Sequence, residues 1–146
     1  MPNNLFMSYP TVDLERSKTF YTAVGATLVP EFTDDKAICL KWDENIYFMV
    51  LKREFMATFT EKPIVDPATM VQVQSSFSLS SREQVDAVVA AGLKAGGVEA
   101  QPAMDHGFMY SRDIEDPDGN IVSFFFMEPE AMEIGPGAYA AKQAQS

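Results

Sequence analysis

An internal repeat constrains the fold of this chain more than any other feature of its sequence. Gly25 and Gly96 each follow a stretch with helical apolar spacing and are placed to end a helix. The pair Asn45-Ile46 in the first half matches Asn120-Ile121 in the second, directly before a final apolar strand. These pairs lie further apart than the two glycines, which places a few extra loop residues in the second half, around 102–107. The chain is therefore predicted to contain two copies of one structural module.

The first half has the pattern of a βαβββ module. Asp13 is suited to cap a helix whose apolar residues recur at helical spacing, and Gly25 supplies the C-terminal stop. Turn-rich segments at 33–35 and 43–45 separate the strand-like runs that follow. The predicted elements are a strand at 5–10, a helix at 14–24 and strands at 26–32, 37–42 and 46–51.

The second half repeats this order. Residues 80–84 offer a capping-box start for a helix that Gly96 ends. The segment Asp116-Pro117-Asp118-Gly119 has the composition of a type I turn between the last two strands. The predicted elements are a strand at 71–79, a helix at 82–95 and strands at 98–101, 108–115 and 121–127.

One domain that covers residues 1–146 is expected from this organisation. Its parts are a first module at about 4–51, a linker at 52–70, a second module at about 71–127 and a C-terminal arm at 128–146. The linker is predicted to form a short helix around Phe55 and Phe59, followed by an extended connector. The arm has no strong apolar stripe and is predicted to be extended or frayed, with the surface of a partner subunit as one place for it.

The composition disfavours several classes of partner. Eleven Lys and Arg against 21 Asp and Glu give a formal charge of −10, which repels nucleic acid backbones and anionic membranes. No segment reaches the roughly 18 apolar residues that span a bilayer, and no basic, apolar leader is evident, so the cytoplasm is the expected location. The single cysteine, Cys39, lies in a predicted strand and is expected to be a buried apolar residue.

Two sequence motifs carry a resemblance to a known family. The first is Asp13-Leu14-Glu15-Arg16-Ser17-Lys18, followed by Phe20-Tyr21 and ending in Gly25, and the second is Asp116-Pro117-Asp118-Gly119-Asn120. At this separation they resemble the vicinal oxygen chelate superfamily, which includes glyoxalases, bleomycin resistance proteins and extradiol dioxygenases. The resemblance covers about residues 4–128 and implies an α+β fold of two paired βαβββ modules, whose curved mixed sheets surround a central pocket. It also implies a homodimer and a pocket that in many members holds a divalent metal.

The resemblance further identifies the positions where related proteins carry metal ligands, usually His or Glu and sometimes Gln. In this chain those positions are Phe6, Met49, Gln74 and Ser123. Metal-dependent members carry Glu where this chain has Ser123. A stable site generally needs three or more strong ligands, and only Gln74 offers a weak one. We therefore expect no metal and no cofactor.

Strand alternation indicates which side chains face the implied pocket. They are Phe6, Ser8, Tyr47, Met49, Gln74, Ser76, Ser123 and Phe125, with Leu51 and Ile121 beside them. This lining is apolar and aromatic with a few hydroxyl and amide groups. It suits a small, partly aromatic ligand.

Tyr110 and Arg112 share one face of a later strand and complete the candidate ligand-binding set. In one interpretation Arg112 binds an anionic or carbonyl group of the ligand, and Tyr110 stacks on that ligand or donates a hydrogen bond to it. In the other interpretation Arg112 forms an internal ion pair with Glu99, Glu115 or another carboxylate, as buried charges usually do.

The only histidine, His106, also has two interpretations. It is a general base with Asp105 as its neighbour, or it is a solvated loop residue. The second is favoured, because adjacent residues rarely direct both side chains at one substrate.

Three functions are compatible with the sequence. The leading one is a metal-free member of this superfamily that binds a small molecule, in the manner of a bleomycin resistance protein. The alternative is a glyoxalase-like lyase, isomerase or dioxygenase with an atypical metal site or metal-free acid–base chemistry, whose catalytic residues are not identified. The third is a non-catalytic accessory module. The expected partners are a small-molecule ligand and a second copy of the chain, with Phe55, Phe59 and the arm after Met127 as candidate contacts, and neither nucleic acid nor a membrane.

Overall fold

The computed structural model describes residues 3–145 and begins with a βαβββ module. The elements of this first module are β1 (Leu5–Thr11), α1 (Leu14–Ala23), β2 (Thr27–Leu28), β3 (Ala37–Asp43) and β4 (Ile46–Lys52). Its four strands form a sheet in the order β1-β4-β3-β2, in which β1 and β4 run parallel and the other neighbours antiparallel. The Asp13 carboxylate accepts hydrogen bonds from the backbone N–H groups of Glu15 and Arg16, so the predicted helix cap is confirmed.

A connector joins the two modules and starts with a short helix. This helix, α2 (Arg53–Met56), continues into a 3-10 turn at Ala57–Phe59, as predicted from Phe55 and Phe59. The following segment, 60–73, contains no helix or strand. The Arg53 guanidinium holds it in place by donating hydrogen bonds of 2.7 Å to the carbonyl oxygens of Ile64 and Val65.

The second module repeats the first and adds one strand. Its elements are β5 (Gln74–Ser78), α3 (Arg82–Lys94), β6 (Val98–Glu99), β7 (Met104–Asp105), β8 (Met109–Glu115) and β9 (Ile121–Met127). The sheet order is β5-β9-β8-β6, with β7 also pairing with β8. The first and last strands, β5 and β9, again run parallel. The additional strand lies where the sequence predicts extra residues, and the α+β fold of two βαβββ modules is confirmed.

Three predicted strands are shorter than expected. The strand predicted at 26–32 keeps only two paired residues, because Pro30 lacks a backbone N–H and begins a 3-10 helix, Pro30–Phe32. The strands predicted at 71–79 and 98–101 are reduced to β5 and β6.

The C-terminal arm is helical, so the prediction of an extended or frayed arm is wrong. It forms α4 (Pro129–Ile134) and α5 (Pro136–Ala144). Each helix has a proline in its first turn, where the missing N–H would have no partner within the helix. Ala131 of α4 is fully buried and anchors the arm to the body of the protein.

All the helices are short. The longest, α3, has 13 residues, and none of those within residues 3–145 is long and apolar enough to cross a membrane.

Both sheets bury the face that carries α1 and α3, and the two modules share one core. Phe20 and Tyr21 of α1 and Val89 of α3 are fully buried. Trp42 crosses the boundary between the modules, with its ring centre 4.2 Å from that of Phe77 on β5. Because α1 packs against α3 and Trp42 of the first module packs against Phe77 of the second, neither module buries its apolar face alone.

A buried carboxylate, that of Asp116, links the two modules. Its Oδ2 accepts a hydrogen bond of 2.6 Å from the Tyr21 hydroxyl of α1 and one of 2.9 Å from the Asn120 side chain. Its Oδ1 accepts three backbone N–H bonds of 2.9 Å within the turn 116–120. Burial raises the pKa of Asp116, while the hydrogen bonds from Tyr21 and Asn120 act in the opposite direction.

Asp118 makes a second link from the same turn. Its carboxylate accepts hydrogen bonds from the Thr11 hydroxyl at 2.6 Å and from the Val12 N–H at 3.0 Å. The Ser17 hydroxyl of α1 lies 3.3 Å from the same carboxylate. The two motifs that carry the family resemblance are therefore in direct contact with each other.

The packing of the shared core determines which side chains lie on the outer faces of the two sheets, away from the helices. Phe48, Val50, Ile114 and Val122 are buried against the helices, so alternate residues on the same strands lie on the outer faces. The outer-face residues include Phe6, Ser8, Tyr47, Met49 and Leu51 on the first sheet and Gln74, Ser76, Ser111, Asp113, Ser123 and Phe125 on the second.

Replacing Tyr21 with Phe keeps the ring in the core but removes one donor from Asp116. We expect the free energy of unfolding at neutral pH, measured by urea denaturation, to fall by about 1–3 kcal/mol. The loss should be smaller near pH 4. The hydroxyl favours the ionised carboxylate, so its removal raises the pKa of Asp116 further. A carboxyl group with a raised folded-state pKa loses its stabilising contribution as the pH rises through that pKa. Because this pKa is higher in the variant, the variant loses more stability than the native protein between pH 4 and neutral pH.

Tyr139→Phe is the matched control, because Tyr139 lies on α5, away from this junction. We expect it to change stability by less than about 0.5 kcal/mol at either pH. Equal losses in the two variants would contradict a specific role for the Tyr21 hydroxyl.

Candidate functional site

The outer face of the first sheet forms the floor of a cavity of about 630 Å³. The floor residues are Phe6 and Ser8 on β1, Ala37 on β3, and Met49 and Leu51 on β4. One wall consists of Phe55 and Phe59 from the start of the connector, and the other is the segment 31–34. Sequence segments that are distant from each other thus meet over a single sheet.

Aromatic rings dominate the walls of this cavity. The rings of Phe55 and Phe59 pack edge to face, with centres 5.0 Å apart. Phe6 stacks on its neighbour Tyr47, with centres 4.5 Å apart and planes 10° from parallel. Phe32 and Phe59 remain 61% and 65% exposed, so apolar ring surface is available at the mouth.

A second cavity, of about 460 Å³, lies at the junction of the modules. It is bounded by residues 7–10 of β1, connector residues from 60 to 73 and residues 119–121 at the start of β9. Of the ten predicted ligand-binding residues, only Ser8 contributes to its lining.

The outer face of the second sheet carries a hydrogen-bonded row of three side chains. The Gln74 amide donates a hydrogen bond of 2.7 Å to the Ser123 hydroxyl, which in turn donates one of 2.5 Å to the Asp113 carboxylate. The row crosses three neighbouring strands, β5, β9 and β8. Ser123 is buried, while Gln74 is exposed. The serine is therefore fully engaged within the protein, and the outer atoms of Gln74 and Asp113 face solvent.

A family model matches residues 5–124 of this chain, which include the first module and nearly all of the second. It describes the glyoxalase/bleomycin resistance protein/dioxygenase superfamily. The chain belongs to this superfamily. A search of the curated proteins found no match.

Several solved structures share the fold. A hypothetical protein from S. aureus has 20% sequence identity and a TM-score of 0.73, over 86% of this chain and 94% of that one. A glyoxalase/bleomycin resistance protein/dioxygenase family enzyme from Burkholderia phytofirmans has 17% identity and a TM-score of 0.69, over 86% and 99% of the two chains. The fosfomycin resistance protein FosX from Listeria monocytogenes has 15% identity and a TM-score of 0.63, over 89% and 97%.

The residues at the superfamily's metal positions do not suit a divalent metal. Phe6 and Met49 lie on the first sheet and offer no nitrogen or oxygen ligand, and Ser123 is committed to its neighbours in the row. Asp113 adds one carboxylate next to Gln74, which still leaves fewer than three ligands. Within residues 3–145, no group of three or more His, Cys, Asp or Glu side chains is arranged to hold a metal. The described residues thus offer too few ligands for the usual metal site of this superfamily.

The predicted ligand-binding residues do not meet in one cavity of a single chain. Three of them, Phe6, Ser8 and Met49, line the cavity of the first module, and Tyr47 stacks beside them. Gln74, Ser76, Ser123 and Phe125 lie together on the outer face of the second sheet.

Tyr110 and Arg112 lie on the opposite face of the second sheet from Gln74 and Ser123, so the prediction that these four share a pocket is wrong. The Arg112 guanidinium pairs with Asp86 of α3 at 3.1 Å and with Glu99 of β6 at 2.9 Å. Tyr110 donates a hydrogen bond of 2.6 Å to the same Asp86. The internal ion pair, predicted as the other interpretation, is present. The hydrogen bond from Tyr110, and then the one from Arg112, lower the pKa of Asp86.

His106 is an exposed loop residue, as favoured by the sequence. Among the described hydrogen bonds, none joins its ring to the carboxylate of its neighbour Asp105. Instead, the Asp105 carboxylate accepts hydrogen bonds from Arg82 at 2.8 Å and from the Gly107 N–H at 2.9 Å. Cys39, predicted to be buried, has no exposed surface, and burial raises the pKa of its thiol.

Sequence reasoning missed several residues of the site. Phe55 and Phe59 were predicted only as contacts to a partner, but they also wall the cavity, while Phe32 was assigned to a strand. Pro30 was the available signal for the change of direction there. Asp113 was overlooked although it alternates with Arg112, and alternation alone places it on the face of Ser123 once the face of Arg112 is known.

Arg112→Met tests the structural role of the ion pairs. We expect the free energy of unfolding to fall by about 1 kcal/mol, because both partner carboxylates are partly solvated. Arg16→Met is the control, since within residues 3–145 Arg16 pairs with Asp13 alone, at 3.4 Å on an exposed helix surface, and it should cost less than about 0.5 kcal/mol. Chemical denaturation measures the free energy of unfolding of both variants. A neutral or stabilising Arg112→Met variant would refute the role.

Proposed function

We propose that the protein binds a small, partly aromatic organic molecule in the cavity of the first module. The observation that carries this proposal is the cavity of about 630 Å³ walled by phenylalanines. Its volume falls in the range of about 300–1,000 Å³ typical of small-molecule sites. Ring surface left exposed at the mouth gains from contact with a planar ligand, because aromatic pairs contribute beyond their buried area.

We further propose that this binding needs no divalent metal and no cofactor. Phe6 and Met49 supply apolar surface at positions where metal-dependent relatives carry ligands. A ligand held by ring stacking and apolar contact requires no such ion. Sequestration of a small molecule, as in a bleomycin resistance protein, is the activity that this lining supports.

A homodimer is also part of the proposal. Within the described chain, β1 pairs only with β4 and β5 only with β9, so each of these strands has one free edge. Large apolar residues are exposed at both edges: Leu5 and Phe6 on β1, and Val71 and Val73 just before β5. Pairing of β1 in one copy with β5 in the other would cover this surface. It would also continue the outer face of the first sheet into the outer face of the partner's second sheet.

The arm after Met127 offers further contact surface for such a dimer. Met132 and Ile134 of α4 are 53% and 42% exposed. The cytoplasm, expected from the sequence, is the location that we propose, and a buried free thiol at Cys39 is compatible with a reducing compartment.

Filling the cavity should abolish binding. We expect Met49→Trp to weaken the binding of quinoline, a neutral bicyclic probe, by at least about tenfold, because the larger side chain occupies the floor. Isothermal titration calorimetry gives the affinity, and circular dichroism checks the fold. Met104→Trp, on β7 of the other module, is the control and should bind as the native protein does. Equal binding by both variants would place the ligand elsewhere.

A charge at the free edge of β1 should prevent dimerisation. Leu5→Lys is expected to shift the mass measured by light scattering from that of two chains to that of one, since an unpaired charge in a strand interface is costly. Val12→Lys is the control, because Val12 is exposed just beyond the end of β1. A native protein that is monomeric at micromolar concentration would contradict the dimer.

A further inference from the structure

The ionisable groups that line the first module's cavity are both acidic. They are Glu31 and Asp34, on the wall formed by the 3-10 helix and the turn after it. Asp34 uses its Oδ1 to accept hydrogen bonds from the N–H groups of Lys36 and Ala37, which leaves Oδ2 available. Glu31 is exposed and has no ion pair among the described residues. Two carboxylates without a cationic partner thus stand beside the phenylalanines.

The rings of this face already contact ammonium groups of the protein itself. The Lys36 Nζ lies 5.6 Å from the centre of the Phe55 ring, and the Lys41 Nζ lies 5.8 Å from the centre of the Tyr47 ring. Both distances are within the range of a cation–π interaction. Neither lysine belongs to the cavity lining. These aromatic rings thus accept cations, and the lining itself contains neither Lys nor Arg.

The overall charge of the protein has the same sign as these two carboxylates. The protein carries a formal charge of −10, which raises the local concentration of cations. The outer positions of β5, β8 and β9 include Asp113 and Glu115 and contain neither Lys nor Arg. In the dimer proposed above, this acidic face of one copy continues from the cavity of the other.

We infer that the ligand is an aromatic organic cation, whose planar ring packs among Phe6, Phe55 and Phe59 and whose positive charge is directed towards Glu31 and Asp34. This inference rests on the proposed function and specifies the chemical class that the same cavity takes. The charge of this ligand is opposite to that of the anionic ligand expected for an Arg112 that faces the pocket.

Three probes of similar shape test the inference. They are N-methylquinolinium, which is a permanent cation, quinoline, which is neutral at neutral pH, and quinoline-2-carboxylate, which is an anion. We expect N-methylquinolinium to bind about three- to tenfold more tightly than quinoline, and the carboxylate to bind most weakly. Raising the salt concentration from about 0.02 M to about 0.5 M should weaken the binding of N-methylquinolinium and leave the affinity for quinoline nearly unchanged. Calorimetry provides all three affinities.

Charge-neutralising variants locate the effect. Glu31→Gln combined with Asp34→Asn keeps the oxygen that accepts the turn's hydrogen bonds, and it should bring the affinity for N-methylquinolinium down to that for quinoline. Glu44→Gln is the matched control, because Glu44 is exposed at the turn between β3 and β4, outside the lining. It should preserve the preference for the cation.

The outcomes separate this inference from the proposed function. Equal affinity for the three probes, or tightest binding of the carboxylate, would overturn the inference. The proposed function would stand in that case if Met49→Trp still weakened the binding of quinoline. A preference for the cation that survives in the double variant would also overturn it. Failure of all three probes to bind would overturn the inference and the proposed function together.

Discussion

The burial of both helix-bearing sheet faces in one core is the constraint on which the rest of the molecule depends. Side chains on a strand alternate between two faces, so fixing one face against α1 and α3 commits every second residue to the other. This alone sends Phe6 and Met49 to the cavity and Ser123 to the outer side of the second sheet. The same alternation turns Arg112 towards Asp86 of α3 and Glu99 of β6, which neutralise it. The location of the site thus follows from the packing of the core.

Much of this fold could be predicted from the sequence, because the decisive signals are local. Asp13 caps α1 and the glycines after each long helix adopt positive φ, as their positions indicated. The faces of the strands could not be assigned equally well. Arg112 and Tyr110 alternate with Ser111 and Asp113, and the sequence between 108 and 115 does not show which set faces the helix. Only contacts between distant segments, such as that from Tyr110 to Asp86, decide the matter.

The candidate site was harder to predict because its walls are not strands. Phe55 and Phe59 belong to the connector, and Phe32 follows a proline that interrupts a strand. Each is brought to the cavity by a change of chain direction, which residue alternation does not describe. The helical arm was missed for a related reason: Pro129 and Pro136 suit the first turn of a helix, whereas prolines in a polar tail also suit extended chain. Positions within strands were thus easier to anticipate than the segments that cover them.

The row formed by Gln74, Ser123 and Asp113 has a consequence for how this chain could change during evolution. Ser123 is buried and gives its only hydroxyl proton to Asp113. A glutamate at that position would bring a second negative charge next to Asp113 and would remove the hydroxyl that donates to it. Phe6 and Met49 would have to change as well before three metal ligands existed. A metal site at these positions would therefore require several substitutions, and the replacement of Ser123 by glutamate is unfavourable while Asp113 stays beside it.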